Sequence, residues 1–283
     1  MGISLDDLKR GSNRGLAVSN NAGLVTLKNS LQTGNSNSLD DRINNMASSV
    51  LPQAAEVLKN SAELISLFDK STSCKGTELA TINGFNDLIQ KERKSGFPMM
   101  VTTILFNEED TVIHDGLNIN LVKPFNYAAG GGTALYDSLC RNLKKALERH
   151  EKSGSKAPNK TVVVIMTDGN DEHSRYYGLN DAKKIIAECK ALGWEFIFLG
   201  NEIDAKYEAA KLGIDALHAE NYSLENNGIS HNFRAVSNVL KSLREAGKID
   251  PNWSAPIKNN NLALGDGRRY SDDDSALRLG GKK

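Results

Sequence analysis

Apolar positions fall into two rhythms along most of the chain. Runs at 63–68, 99–106, 161–167 and 195–199 are apolar almost throughout, as parallel strands buried on both faces are. Between them apolar residues recur every three or four positions, which predicts helices over 77–92, 134–150, 180–192, 203–212 and 230–246. In the second of these Leu135, Leu139, Leu143 and Leu147 share one face. The hairpin residues 107–110 predict a short antiparallel strand at 111–114, and another short strand is expected at 216–219. Strands alternating with helices in this way predict a doubly wound α/β fold. Its sheet is mostly parallel with one antiparallel edge strand, and right-handed crossovers place helices on both faces.

This rhythm spans 62–247. Residues 1–61 form an N-terminal arm, rich in Asn, Ser and Gly up to about 38 and without a sustained period. A helix is predicted near 39–60, where Ile43, Met46, Val50, Leu51, Ala54 and Leu58 keep a helical spacing that Pro52 interrupts. After Gly247 apolar residues thin out through Asn259, Asn260, Asn261 and the run Asp272, Asp273, Asp274, so 248–283 is expected to be a flexible extension.

The 283 residues carry 35 basic and 35 acidic side chains, a balance that offers no field to attract nucleic acid or a membrane. No apolar run approaches the roughly 20 residues that span a bilayer, and residues 1–7 lack a basic and apolar leader, so a cytoplasmic protein is expected. Cys74, Cys140 and Cys189 are too few and too scattered for a disulfide framework or a thiolate zinc site, and read as reduced, with Cys140 and Cys189 filling the core. Trp194 is expected in the core and Trp253 as an anchor within the tail.

The chemistry concentrates at strand ends. The strand at 63–68 stops in Asp69, Lys70, Ser71, Thr72, Ser73, which sets one carboxylate and two hydroxyls at alternate positions. These are donors for a hard, octahedral cation, although the run by itself also suits a turn or a helix cap. Gly130, Gly131 and Gly132 deliver Thr133 to the start of a helix, and the strand at 161–167 closes on Asp168 and Gly169. In an open parallel sheet these strand ends share one rim. An alternative reading makes Asp69, Asp168, Asp171 and His173 a metal-dependent phosphoester hydrolase. Against it, Ser71 stands where a haloacid-dehalogenase-like enzyme needs its second carboxylate, and no phosphate loop or nucleophile elbow is present.

Taken in order, Asp69, Ser71, Ser73, Thr133 and Asp168 resemble the metal-ion-dependent adhesion site of the von Willebrand factor A domain family. The resemblance covers about 62–247 and departs from the family pattern at Thr72, where relatives often carry glycine. It implies a Rossmann-like fold, a non-enzymatic binding role, and Mg2+ as the bound ion, with Mn2+ or Ca2+ as substitutes. It implies that Asp69 and the three hydroxyls bind directly and that Asp168 accepts a hydrogen bond from a metal-bound water. One anionic ligand leaves the ion undercharged, so a protein partner presenting Asp or Glu would complete the shell. It further implies an intracellular bacterial or phage setting of the tellurium-resistance or stress-response kind, and makes the helix at 230–246 a candidate moving element.

Overall fold

The computed structural model describes residues 61–225 and 227–264. The expectations for 1–60 and 265–283 lie outside the described residues. In chain order the elements are β1 (Ala62–Asp69), α1 (Glu78–Ser95), β2 (Met99–Phe106), β3 (Asp110–Asn118), α2 (Leu135–Ser153) and β4 (Lys160–Thr167). They are followed by α3 (Leu179–Ala191), β5 (Glu195–Gly200), α4 (Ala205–Lys211), β6 (Ala219–Asn221), α5 (Gly228–Ala246) and α6 (Ala255–Ala263). The strands form one sheet in the order β3-β2-β1-β4-β5-β6. Only β3 runs antiparallel, beside β2 at the edge. Among the described residues no helix is long and apolar enough to cross a membrane.

The central strands explain the continuous apolar runs. In β1, Leu64 and Phe68 face one layer while Ile65 and Leu67 face the other; in β4, Val162, Val164 and Met166 oppose Val163 and Ile165. Helices α1, α5 and α6 cover the first face, and α2, α3 and α4 the second. Such a sheet has no wet side, so a period of two is erased from its central strands. In the first layer Phe68 meets Phe85 and Phe233 edge-on at 5.8 Å each. Gly84 is required there, since a Cβ on it would lie 2.2 Å from the Phe233 ring. Trp194 is buried beneath His150, their rings 4.8 Å apart.

Helix α5 is tied to α1 by a buried charge. Glu92 accepts a hydrogen bond from Ser237 (2.8 Å) and pairs with Arg244, whose guanidinium also lies over the Phe97 ring. Removing the cation leaves the carboxylate buried with one donor. The expected cost of Arg244→Ala is about 2 kcal/mol, between the values for exposed and fully buried pairs, and urea unfolding measures it.

Local chemistry moves several boundaries. The edge strand β3 is longer than the predicted 111–114. The residues predicted as a strand at 216–219 mostly form a 3-10 turn, because the Asp215 carboxylate accepts from the Leu217 amide (2.9 Å), and β6 starts only at Ala219. Helix α4 begins at Ala205 rather than 203, where Asp204 caps it through the Tyr207 amide (3.0 Å) and Ile203 is drawn into the core. The largest correction concerns 248–264, expected to be flexible. Trp253 is only 1% exposed, and α6 packs on the first layer through Ile257. One fully buried tryptophan supplies the apolar area that the composition of the segment lacks.

Candidate metal centre

The order of the sheet fixes where the site falls. Strands are added outward from β1 in one direction as β2 and β3 and in the other as β4, β5 and β6, so the carboxyl ends of the parallel β1 and β4 flank a crevice not covered by a crossover. Asp69 ends β1, and Asp168 follows the last residue of β4.

Three of the expected residues form a continuous chain to the fourth. The Ser71 amide donates to Asp69 Oδ1 (2.8 Å), the Ser71 and Ser73 hydroxyls are 3.0 Å apart, and Ser73 donates to Asp168 Oδ1 (2.7 Å). The 3-10 turn Thr72–Cys74 makes this bend and keeps both serines on one side. Thr133 reaches the same place across Gly169, where an added Cβ would stand 3.2 Å from its Oγ1. The glycine after Asp168 thus lets the threonine approach. All five sequence-predicted residues are brought to one rim, with Asp69, Ser71 and Thr133 buried.

The glycine loop is held from several sides. Gly131 has a φ of +79°, and a Cβ on Gly132 would overlap the His173 ring at 2.2 Å. The Gly130 amide donates to Lys70 O (2.7 Å), and Thr72 donates to Gly131 O through both its amide (3.0 Å) and its hydroxyl (2.9 Å). The departure at Thr72 therefore adds a hydrogen bond between the two loops and removes no donor from the site.

The supporting roles of four residues escaped the sequence reading. Thr167 donates to Asp69 Oδ2 (2.6 Å) and orients it. The Asn107 side chain donates to Gly130 O (2.6 Å) while its main-chain carbonyl accepts from the Ala134 amide (3.1 Å). Asp171 accepts from the Tyr136 amide (3.0 Å), capping α2 from a distant loop. Buried Asp137 accepts from the Arg175, Tyr176 and Tyr177 amides (3.0, 3.0 and 2.8 Å) and anchors that same loop. The only signals in the sequence were positional: Thr167 precedes Asp168, and Asn107 follows a strand.

The electrostatics set the two carboxylates against each other. Burial pushes the Asp69 carboxyl above its usual range, the hydrogen bonds from Thr167 and Ser71 pull it down in part, and the Asp168 charge raises it again; no cationic side chain is among these groups. A buried carboxylate facing a second one without a positive partner is unfavourable unless a cation joins them. The oxygen donors of Asp69, Ser71, Ser73, Thr133 and Asp168 suit a hard divalent ion. Cys74 lies beside them, with one ligand atom each from Asp69, Cys74 and Asp168 within 4.8 Å of one another. Burial first, and then the Asp69 and Asp168 charges, push its thiol far above its ordinary value in the metal-free protein, and a thiol is a poor ligand for Mg2+.

No family model matches the chain, and no curated protein does. Among solved structures it is similar to proximal thread matrix protein 1 from the mussel byssus, at 15% identity over 66% of this chain and 46% of that one, with a TM-score of 0.43. It is similar also to the ArnB paralog VWA2 from Sulfolobus acidocaldarius, at 16% identity over 64% and 45% of the two chains, TM-score 0.40. The von Willebrand factor type A protein from Catenulispora acidiphila gives 16% identity over 63% and 42%, TM-score 0.42. The chain spans less than half the length of each of these three. The fold class itself rests on the strand order and the two helical layers.

Proposed function

We propose that the rim formed by Asp69, Ser71, Ser73, Thr133 and Asp168 holds a divalent cation, Mg2+ with Mn2+ or Ca2+ as substitutes, and that the ion docks an Asp or Glu of a protein partner. The observation that carries this reading is the convergence of Ser71, Ser73, Thr133 and Asp168, from three separated segments, on the buried Asp69 carboxylate, whose pKa is raised with no cation among the groups that shift it. Asp69 would bind directly with the three hydroxyls. Asp168, already an acceptor for Ser73, would hold a water of the ion's shell. The motif resemblance to von Willebrand factor A domains supports the same role, and an intracellular assembly or stress-response process is the setting we assign to it.

The hydrolase alternative is weakened by what its residues do. Asp171 is occupied as the cap of α2 and also accepts from the Ser174 hydroxyl (2.5 Å). His173 lies against Gly132 and keeps 3.9 Å from Glu108, so it is not oriented by a carboxylate as a general base would be. A cavity of about 340 Å³ lined by Asp115, Lys145 and Arg149 lies at the far end of the sheet, where Arg149 pairs with Glu63 at the start of β1.

Calorimetric titration of Mg2+ and Mn2+ into chelator-stripped protein tests the reading. One saturable site is expected in the wild type, none in Asp69→Ala, and a weakened one in Asp168→Ala with the fold retained. Equal affinity in wild type and Asp69→Ala would remove the assignment.

A further inference from the structure

The Cys74 thiol is hydrogen-bonded to Asp168 and Ser71, and its position is tightly specified. Its amide donates to Ser71 O (3.1 Å), and its carbonyl accepts from both the amide (3.1 Å) and the hydroxyl (2.7 Å) of Thr77. With the backbone fixed on both sides, the side chain is buried next to Asp69 and Asp168 rather than in either helical layer's interior. Cys140 and Cys189, by contrast, pack among the apolar residues of the second layer.

We propose that the rim also takes borderline divalent ions, Zn2+ or Co2+, with the Cys74 sulfur as a ligand beside Asp69 and Asp168. This rests on the reading of the rim as a cation site and adds to it a ligand of different chemistry. The three ligand atoms come from the end of β1, the following turn and the end of β4, and lie within 4.8 Å of one another. Tetrahedral zinc with bonds of about 2.0 Å to oxygen and 2.3 Å to sulfur sets one sulfur and two oxygens about 3.3–3.5 Å apart. To close on such an ion the two carboxylates would give up part of their present bonding, Asp69 from Ser71 and Thr167 and Asp168 from Ser73. As the metal–sulfur bond forms, the S–H bond breaks, sulfur keeps the electron pair and the proton passes to solvent; nothing is oxidised or reduced. A hard ion has no use for the sulfur and recruits the hydroxyls instead, so the two classes of ion would share Asp69 and differ in their remaining ligands.

Titration of Co2+ into the chelator-stripped full chain, followed by absorption, tests this. The expected wild-type spectrum has a near-ultraviolet thiolate-to-cobalt charge-transfer band that Cys74→Ser lacks. The same variant should lose at least about tenfold in Zn2+ affinity, a conservative figure given what lost support around a metal costs, while its Mg2+ affinity stays within about twofold. Co2+ binding that Asp69→Ala abolishes but that carries no such band would overturn the role of Cys74 and leave the cation site standing. A band that persists in Cys74→Ser would overturn it too. Failure of Co2+, Zn2+ and Mg2+ alike to bind would remove both readings. Should Cys74→Ser not fold, the wild-type spectrum still decides, because neither Cys140 nor Cys189 lies at the rim.

Discussion

Asp69→Asn is expected to make the cation-free protein more stable at neutral pH and to erase its stabilisation by divalent cations. Burial raises the Asp69 carboxyl above its ordinary range, and Asp168 adds to this against the pull of Thr167 and Ser71. A group whose pKa is higher folded than unfolded favours folding when protonated. Its contribution is full below the unfolded value and is lost as pH rises through the folded one, so at neutral pH ionised Asp69 weighs against the fold. Asparagine removes that charge and keeps the hydrogen bonds. Its oxygen accepts from the Ser71 amide, and its amide group donates to Thr167, whose hydroxyl can turn to Gly169 O at 3.1 Å. A bound cation reverses the sign for the wild type only. At about 100 times its Kd a ligand adds about 2.7 kcal/mol, or roughly 5–10 °C in Tm for a domain of this size. Thermal unfolding in chelator and in Mg2+, at acid and neutral pH, reads both halves. A wild type indifferent to Mg2+, together with a variant less stable than it in chelator, would contradict both.

Sequence patterns revealed what is local or periodic. The strands β1 and β4 were legible because burial on both faces leaves an unbroken apolar run. Asp69, Ser71 and Ser73 alone also suited a turn or a helix cap, and stood out as candidates only beside Thr133 and Asp168. That the segments meet followed from the rule that strand ends of a parallel sheet share a rim. What stayed hidden was the support. Asn107 clamps Gly130 from 23 residues away, Asp171 caps a helix 35 residues earlier, and Asp137 binds amides 38 to 40 residues later. A carboxylate that accepts from distant backbone amides has no periodicity, and its residue type is equally common in exposed loops. Asp171 shows the consequence: its nearness to Asp168 invited a catalytic role, whereas its carboxylate completes a helix end. Thr72 is the converse case, a departure from the family pattern whose effect became clear only once its hydroxyl was placed on Gly131.

Trp253→Ala is expected to cost about 3–5 kcal/mol, as large-to-small changes of a buried aromatic do. The indole fills the first layer, and its Nε1 donates to Leu217 O (2.9 Å), just ahead of β6. Around it Asn238 donates to Trp253 O (3.3 Å), Ser254 to Glu220 (3.0 Å), and Asn261 to the carbonyl of Asn221 (2.9 Å). The bonds of Ser254 and Asn261 tie the start and body of α6 to β6, the three-residue strand that ends the sheet opposite β3, while that of Asn238 ties α5 to the turn before α6. An edge strand so short contributes little pairing of its own and presents unpaired backbone groups to other chains, so what covers it decides whether that edge stays closed. A chain ending at Gly247 should therefore lose at least as much stability as Trp253→Ala and should self-associate, the first seen in urea unfolding and the second in light scattering. An unchanged urea midpoint after that truncation would mean that α6 is an appendage; a lowered one would place the end of the folded unit beyond 247, within the segment whose composition reads as a tail.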